Sequence, residues 1–244
     1  KGLMEQSFDR QNPEHILVSL GDSFDRGNQN LRLYKFYKEM YDEGRLYHIK
    51  GNHDDFFLEF LLGNDNGVFN CRHNGMDKTI INFTNVEGIQ HNQIVGLTHY
   101  AHIINDMHPK LLGFLENMPD ILKIDDFILT HAGFKKEPHG EWYANNWART
   151  DKFFETFRKQ ETKYHYIVGH WHARRLRHAF RFKEEGETRN RIFMMNKMIG
   201  IDGMVNSEKV ETVPIFRIVT DSAPEFIDSK TPLSELEPNL EMPK

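Results

Sequence analysis

Four short apolar runs, each followed directly by a residue that can ligate a metal ion, constrain this chain most. Runs of this length and composition are typical of buried strands, and the glycine or threonine after them marks a sharp turn or a close approach. In open α/β sheets, sites form outside the carboxyl ends of the strands. Four such strand ends therefore suggest one shared site. The four segments are Ile16–Asp22, Leu46–His53, Phe127–His131 and Tyr164–His170.

Composition bounds the class of protein. The chain has 244 residues, of which 39% are hydrophobic and 27% charged, enough for one domain with a full core. The net charge of −5 makes a general attraction to nucleic acid or an anionic membrane unexpected. The single cysteine, Cys71, excludes an internal disulfide and predicts a reducing, cytoplasmic location for the protein. We expect Cys71 itself to be a small buried side chain. No apolar stretch approaches the roughly 20 residues that a membrane-spanning helix needs.

Local patterns predict alternating strands and helices, followed by a strand-rich region. Asn28–Glu43 has helical spacing and lies between the first two apolar runs, which predicts a parallel strand pair. Asp54–Leu62 predicts a second helix, and residues 90–122 are expected to be largely helical. From about Asp221, proline and acidic residues predict a surface-wrapping or mobile tail. Later strands are predicted at Ala179–Lys183, Arg191–Met195, Met198–Ile201 and Val213–Val219.

The four segments with candidate metal ligands contain short sequence motifs. They contain Gly21-Asp22-Ser23-Phe24-Asp25-Arg26-Gly27, Gly51-Asn52-His53-Asp54, Thr130-His131-Ala132-Gly133 and Gly169-His170-Trp171-His172. In this order they resemble the calcineurin-like metallophosphoesterase superfamily. The Asp-Arg-Gly triplet is closer to its phosphoprotein phosphatase branch, which includes small bacterial and phage serine/threonine phosphatases and symmetrical diadenosine-tetraphosphate hydrolases. The resemblance covers roughly residues 14–220.

The resemblance implies an architecture. It predicts an α/β fold in the form of a four-layer α/β/β/α sandwich, with two mixed sheets flanked by helices. We expect a metallophosphoesterase domain over residues 1–220 and a C-terminal tail over 221–244. Members of the family begin with an Asp-x-His motif on the first strand, and no such motif precedes Asp22. Either this strand is missing from the sequence or the first metal site is incomplete.

The residue types suggest two divalent metal ions. Hard oxygen ligands combined with imidazole suit Mn, with Fe or Zn as alternatives, and no thiolate is available for a structural zinc site. Asp22 can bridge two ions, Asn52 offers a carbonyl oxygen, and His131 and His170 offer nitrogens to the second ion. The resemblance implies the same assignment. His172 is either a ligand of the first ion or a contact to the substrate or to a ligand.

Other residues fit proton transfer and phosphate binding. His53 can protonate the leaving group, and Asp25 is the carboxylate expected to orient it, as in the family, although Asp25 could instead cap the following helix. Arg26 offers a planar fork of donors to phosphate oxygens, unless it forms a surface ion pair. Arg149 is the best match to the family's second phosphate-binding arginine. Asn74-Gly75 predicts a turn, and the basic run His172–His178 predicts either an anion-binding segment or a solvated strand or loop.

These residues predict a Mn-dependent binuclear phosphatase in which a metal-bridging hydroxide attacks phosphorus. The expected substrates are phosphoserine or phosphothreonine proteins. The alternative is a symmetrical dinucleoside-polyphosphate hydrolase, and a nuclease fits less well. A non-catalytic binding module that has lost its first metal site is the alternative outside enzymes. Oligomeric state is not predictable from these residues.

Overall fold

The computed structural model describes residues 8–64, 67–86, 97–182, 192–203 and 215–240. The chain divides into two units. The N-terminal unit is Pro13–Met118, and the C-terminal unit comprises the described residues of Lys1–Asn12 and Pro119–Lys244. The predicted single domain over residues 1–220 stays a prediction.

The N-terminal unit begins with a strand–helix–strand element. β1 (Leu17–Ser19) and β2 (Leu46–His48) are parallel, with Leu17 opposite Leu46, and α1 (Asn30–Asp42) connects them. Parallel strands need a long crossover, which this helix provides. Both predicted strands, the helix and the parallel pairing are confirmed.

Five helices follow β2 in the described part of the N-terminal unit. The predicted helix over Asp54–Leu62 begins two residues earlier, because Gly51 is extended at the N-cap and donates its N–H to Asp54 Oδ2 at 2.8 Å. The other predicted helical stretch was 90–122, of which residues 90–96 lie outside the described residues. Its helical character is confirmed by two helices, over Leu97–Met107 and Leu111–Glu116. Its last two residues belong instead to a strand that begins at Ile121. The helices are α2 (Asn52–Leu61), α3 (Gly67–His73), α4 (Met76–Thr84), α5 (Leu97–Met107) and α6 (Leu111–Glu116).

Aromatic rings join the first loop to the helical core of this unit. The rings of Phe24, Phe57 and Phe83 pack together, with the centroids of Phe24 and Phe57 and of Phe57 and Phe83 both 5.2 Å apart. Because Phe24 immediately precedes Asp25, this packing anchors the loop after β1.

The side chain of Cys71 is buried, and desolvation together with nearby Asp77 raises the pKa of its thiol to about 12. The expectation of a buried small side chain is confirmed.

A six-stranded mixed sheet forms the centre of the C-terminal unit. The strands of this unit are β3 (Ile121–Ile124), β4 (Phe127–Thr130), β5 (Phe134–Lys136), β6 (Trp142–Ala144), β7 (His165–Val168), β8 (Phe193–Met195), β9 (Met198–Gly200) and β10 (Glu225–Ile227). The order of the six strands in the sheet is β10-β3-β4-β7-β9-β8, in which β7 is parallel to both β4 and β9 and the remaining pairs are antiparallel. A separate hairpin joins β5 to β6. The predicted α/β class is confirmed.

Three phenylalanines of one helix supply much of the core of this unit. Phe153, Phe154 and Phe157 of α7 (Thr150–Phe157) are fully buried. The ring of Phe153 packs on Tyr166 of β7, with centroids 5.5 Å apart. Burial of such a side chain contributes about 1.5–3 kcal/mol, so this face of α7 holds the helix beside β7.

Two predicted strands are wrong. Ala179 ends α8 (Ala173–Ala179), and residues 180–182 are not strand, while Lys183 lies outside the described residues. Ala173 and Leu176, one helical turn apart, are both fully buried, so a helical face decides the structure there. Residues 215–219 form no ladder within the described chain, although Phe216 packs on Phe127. Residues 213 and 214 of that prediction lie outside the described chain.

Of the two alternatives predicted for the C-terminal segment, a surface-wrapping or a mobile tail, residues 225–240 fit the first, because they pack on the C-terminal unit, and the domain boundary at residue 220 stays a prediction. β10 pairs with β3, and the short helix α9 (Leu233–Leu236) buries Leu233 completely. A few apolar residues and Glu237 outweigh the polar composition that suggested a mobile tail. Along the described part of the chain, no helix has both the length and the apolar character that crossing a membrane requires.

The carboxylate of Glu237 is buried and accepts three hydrogen bonds. Oε2 accepts the N–H of Lys163 at 2.8 Å, and Oε1 accepts the N–H of Tyr164 at 3.1 Å and the hydroxyl of Tyr166 at 2.9 Å. Burial, followed by the charge of Glu237, raises the pKa of Tyr166, so the tyrosine remains a donor. Glu237 thus fastens the C-terminal segment to β7 and the turn before it.

Replacement of Glu237 by glutamine is expected to lower the free energy of unfolding by about 1–3 kcal/mol, because the new amide group faces an N–H donor. Denaturant unfolding measures the change. Glu235→Gln, at an exposed position of α9 two residues before Glu237, is the control and should change stability by less than about 0.5 kcal/mol. Equal stability of the two variants would contradict the role of Glu237.

Candidate active site

The loop after β1 holds three candidate residues in an unusual backbone conformation. Asp22, Asp25 and Arg26 have φ angles of 55°, 68° and 58°, in the left-handed region that residues other than glycine rarely adopt. Such strain costs about 1–3 kcal/mol per residue and persists only where surrounding contacts impose it. This loop is therefore held in shape by its neighbours.

Asp54 is one of these neighbours, and it joins the two candidate loops of the N-terminal unit. Its carboxylate is almost fully buried and accepts the N–H groups of Asp22 at 2.9 Å, Ser23 at 3.2 Å and Gly51 at 2.8 Å. Burial and then the charge of Asp22 raise the pKa of Asp54 well above its usual value, and the three N–H donors oppose that change. No role for Asp54 was predicted from the sequence. Its signal was an acidic residue in the first turn after a glycine N-cap.

Asp22 lies beside the first turn of α2. Its Oδ1 accepts the backbone N–H of His53 at 3.0 Å, and Asn52, the first residue of the helix, is 5% exposed. The helix N-terminus carries partial positive charge, which favours a carboxylate there. Within this unit the Asp22 carboxylate thus contacts the residue that follows Asn52, and carboxylate and amide oxygens are donors that hard divalent cations prefer.

Asp25 and His53 form a buried pair, as predicted. Asp25 Oδ2 lies 2.7 Å from His53 Nδ1, and the two residues are 6% and 4% exposed. Burial raises the pKa of Asp25, while the hydrogen bonds from His53 and Thr79 and the charge of Arg26 oppose this. The alternative that Asp25 caps α1 is wrong, because the N-cap is Gln29 and the first N–H of the helix, that of Asn30, donates to Asn82 Oδ1 at 2.8 Å.

The backbone of Arg26 is hydrogen-bonded to Gly75. The predicted Asn74-Gly75 turn is present, and Gly75 is the N-cap of α4 with a φ of 80°. The Arg26 N–H donates to the Gly75 carbonyl at 3.1 Å, and Lys78 Nζ donates to the Arg26 carbonyl at 3.1 Å. The Arg26 side chain itself is exposed. Its backbone is therefore fixed while its guanidinium can meet a ligand.

Replacement of Gly75 by alanine is expected to destabilise the protein by about 2–4 kcal/mol. A Cβ atom there would lie 2.9 Å from the Arg26 nitrogen, and the backbone conformation is unfavourable for any L side chain. Gly44→Ala is the matched control, because Gly44 has a φ of 68° but no atom within 4 Å of the added Cβ. It should cost only the strain, about 1–2 kcal/mol. Thermal unfolding of both variants measures the difference, and equal losses would contradict the contact.

The C-terminal unit brings His131 and His170 together. These residues follow the parallel strands β4 and β7, and His131 Nε2 lies 3.2 Å from His170 Nδ1. His131 is 1% exposed, and His170 has a φ of 59°. Two imidazole nitrogens this close can share one proton or direct both lone pairs at a metal ion. The predicted convergence of these two strand ends is confirmed.

Backbone contacts hold the two histidine loops in place. The Gly169 N–H donates to the His131 carbonyl at 2.7 Å, which links the loops directly. Thr150, the first residue of α7, donates its hydroxyl to the Ala132 carbonyl at 2.8 Å. The Gly133 N–H donates to Thr130 Oγ1 at 2.9 Å. The positions of the imidazoles are thereby set by the sheet and by α7.

Arg149 lies beside the loop of His170. Its guanidinium carbon is 4.7 Å from the centroid of the Trp171 ring. Its Nε and Nη2 donate to the two carboxylate oxygens of Asp151 at 3.1 and 3.0 Å, and the side chain is 61% exposed. An incoming phosphate would compete with Asp151 for this planar fork of donors.

His172 occupies the N-cap position of α8, and its Nε2 lies 4.0 Å from Asp202 Oδ2. The two roles left open for it remain predictions. The basic run His172–His178 was predicted as a strand or loop if it did not bind an anion. That conformation is wrong, because its residues from Ala173 onward are helical.

Three comparisons relate this chain to known proteins. The model of the calcineurin-like phosphoesterase family matches residues 2–174, more than two thirds of the chain. An asymmetrical bis(5'-nucleosyl)-tetraphosphatase of Bacillus velezensis is 23% identical over 131 residues, which are 53% of this chain and 46% of that protein. The chain thus spans less than half the length of this curated relative. A solved structure described as "Crystal structure of a putative diadenosine tetraphosphatase" has 15% identity and a TM-score of 0.45, covering 84% of this chain and 77% of that one.

Proposed function

The chain belongs to the calcineurin-like phosphoesterase family, and we propose that it is a metal-dependent phosphoester hydrolase. The family inferred from the sequence motifs is thereby confirmed. The observation that carries the proposed activity is the buried contact of 2.7 Å between Asp25 and His53. A carboxylate that holds one imidazole nitrogen leaves the other nitrogen to transfer a proton.

The proposed metal ligands are Asp22, Asn52, His131, His170 and His172. Their oxygen and nitrogen donors fit divalent Mn, Fe or Zn, and the 3.2 Å separation of two imidazole nitrogens supports a role as ligands for His131 and His170. When bound, two such ions supply positive charge to phosphoryl oxygens and lower the pKa of a water molecule. We propose Mn as the metal.

The chain's own residues would provide the remaining steps. Arg26, fixed through Gly75, and Arg149, stacked on Trp171, would bind the phosphoryl oxygens. His53, oriented by Asp25, would donate a proton from Nε2 to the leaving oxygen. This proton neutralises the negative charge that develops on the leaving oxygen as its bond to phosphorus breaks.

A general acid matters most when the leaving group is strongly basic. The alkoxide of serine or threonine is such a group, so a buried Asp25–His53 pair supports phosphoserine or phosphothreonine in a protein as the substrate. A reducing, cytoplasmic location, suggested by the single cysteine of the chain, suits such a substrate.

Dinucleoside polyphosphates are the second candidate substrate. The observation in their favour is the name of the curated relative, an asymmetrical bis(5'-nucleosyl)-tetraphosphatase. The sequence motifs suggested symmetrical cleavage, and the relative makes asymmetrical cleavage an equal possibility. The leaving group would then be a nucleotide phosphate, which is weakly basic and needs less help from His53.

A substrate panel with Mn tests these proposals. A phosphoserine peptide, a phosphothreonine peptide and diadenosine tetraphosphate are compared by kcat/KM, and the nucleotide products are separated. A preference for the peptides supports the phosphoprotein proposal. Two ADP molecules would identify symmetrical cleavage of the dinucleotide, and ATP with AMP would identify asymmetrical cleavage. No turnover of any of these substrates would favour the non-catalytic binding module.

A further inference from the structure

We infer that Thr79 is a positioning residue for the Asp25–His53 pair, an inference that rests on the proposed function. Thr79 lies on α4, is completely buried, and donates its hydroxyl to Asp25 Oδ1 at 2.8 Å. The other oxygen of the same carboxylate faces His53 Nδ1 at 2.7 Å. Each oxygen of the Asp25 carboxylate is therefore held by a different residue, Oδ1 by Thr79 and Oδ2 by His53.

The direction of the Thr79 hydroxyl is determined by its other partners. A hydroxyl group has one proton and two lone pairs. Its oxygen accepts the Asp25 N–H at 2.9 Å and the Asn30 Nδ2–H at 3.1 Å. With two donors directed at the oxygen, its single proton is left for Asp25 Oδ1. Thr79 can therefore donate to this carboxylate but cannot readily turn away from it.

Thr79 also holds the backbone of Asp25. The N–H of Asp25 donates to Thr79 Oγ1, and Asp25 has a φ of 68°, in the left-handed region. That conformation is costly for a residue other than glycine. One hydroxyl thus fixes both the strained main chain of Asp25 and the rotation of its side chain. Loss of either would let Oδ2 move away from His53 Nδ1.

The neighbouring Asn30 extends this arrangement. Its side chain amide donates to Thr79 Oγ1 and to the Gly27 carbonyl at 3.0 Å, and Asn30 is 4% exposed. The loop from Asp25 to Gly27 is thus tied to the beginning of α1 and to α4. A hydrogen-bonded network in a dry interior is rigid, because each unpaired member would cost free energy. Such rigidity is what a proton donor needs.

Replacement of Thr79 by valine, which has nearly the same shape, tests the inference. We expect kcat for the preferred phosphoester to fall about 10–100-fold, the effect of losing a hydrogen bond to a charged group. KM should change little, because Thr79 is buried and binds no substrate. Thr79→Ser keeps the hydroxyl and should restore most of kcat. The folded fraction of each variant is measured by calorimetry so that kcat refers to folded protein.

Thr84→Val is the matched control. Thr84 is a buried threonine on the same helix, and its hydroxyl donates to the Ile80 carbonyl at 2.8 Å. It therefore reports the loss of a buried hydroxyl without contact to Asp25. We expect kcat of this variant to stay within about twofold of the unmodified protein. A kcat loss equal to that of Thr79→Val would overturn the inference.

A double-mutant cycle shows whether Thr79 acts through Asp25. In the Asp25→Asn background, Thr79→Val should lower kcat by less than about twofold, because coupled residues are not additive. The same 10–100-fold loss in both backgrounds would overturn the inference.

A second readout does not depend on activity. In metal-free protein, the 15N resonances of the His53 ring should move in Thr79→Val and stay in place in Thr84→Val. Unmoved resonances in Thr79→Val overturn the inference. Failure of the proposed function looks different, because the unmodified protein would then turn over no phosphoester while the His53 resonances still responded to Thr79→Val.

Discussion

His53→Asn is expected to lower kcat for a phosphoserine peptide by about 10²–10⁴, the usual contribution of a positioned general acid. Asparagine cannot deliver a proton at neutral pH, whereas an imidazole held by Asp25 at 2.7 Å can. Binding of Mn should remain nearly unchanged, because His53 is not among the proposed ligands. Steady-state kinetics and elemental analysis of the purified variant check the two statements.

The basicity of the leaving group makes this prediction sharper. p-Nitrophenolate leaves without protonation, whereas a serine alkoxide does not. His53→Asn should therefore lose less activity on p-nitrophenyl phosphate than on the phosphoserine peptide. Equal loss on both substrates would mean that His53 acts by another route, such as binding the phosphoryl group.

His108→Asn provides the matched control. His108 is a partly buried histidine of the same unit, and its Nε2 contacts the Phe83 carbonyl at 3.0 Å rather than a carboxylate. The same substitution there should leave kcat within about twofold. A His53→Asn variant as active as this control would refute the proposed mechanism.

Metal content is the second large effect. The protein equilibrated with Mn is expected to hold two ions per chain, and removal of the metal with a chelator should abolish turnover, which Mn restores. Loss of a residue that only supports a metal ligand weakens metal binding roughly 10–100-fold. His131→Ala or His170→Ala should weaken binding of one ion by more than this, because each removes a proposed ligand. Elemental analysis and titration with Mn measure both.

His165→Ala is the control for this pair. His165 lies in β7, ahead of His170, and its ring packs on Phe127 with centroids 5.3 Å apart. Its loss should leave the metal content unchanged. Unaltered Mn binding in His131→Ala and His170→Ala would contradict their role as ligands. Unmodified protein that binds one ion or none would support the binding module.

Much of the candidate site was predictable from local sequence. Glycine followed by Asp22, and glycine followed by Asn52 and His53, are local signals after short apolar runs, and the structure has β1 and β2 directly before them. The pairing of Asp25 with His53 was expected from the chemistry of proton transfer and the family motif. His131 and His170 follow neighbouring parallel strands, so their proximity follows from sheet topology.

The partners that hold these residues were less predictable. Thr79 is 54 positions away from Asp25 in the sequence, and a threonine inside a helix has no distinctive pattern. The same holds for Glu237, whose acidic and proline-rich neighbours suggested solvent exposure although its carboxylate accepts three hydrogen bonds. α8 was missed because most of its basic residues are exposed and only two small or apolar positions, Ala173 and Leu176, are buried.

The sequence by itself determined which residues are candidates for the proposed chemistry, because carboxylate, amide, imidazole and guanidinium groups follow its predicted strands in the order of the family motifs. It also determined the α/β class, since alternating apolar runs and helical spacing are local properties. Only the tertiary structure decided which side chains orient those groups. Buried hydrogen bonds such as Thr79 to Asp25 and Asp54 to the loop after β1 depend on the approach of distant segments, and desolvation makes each of these contacts specific.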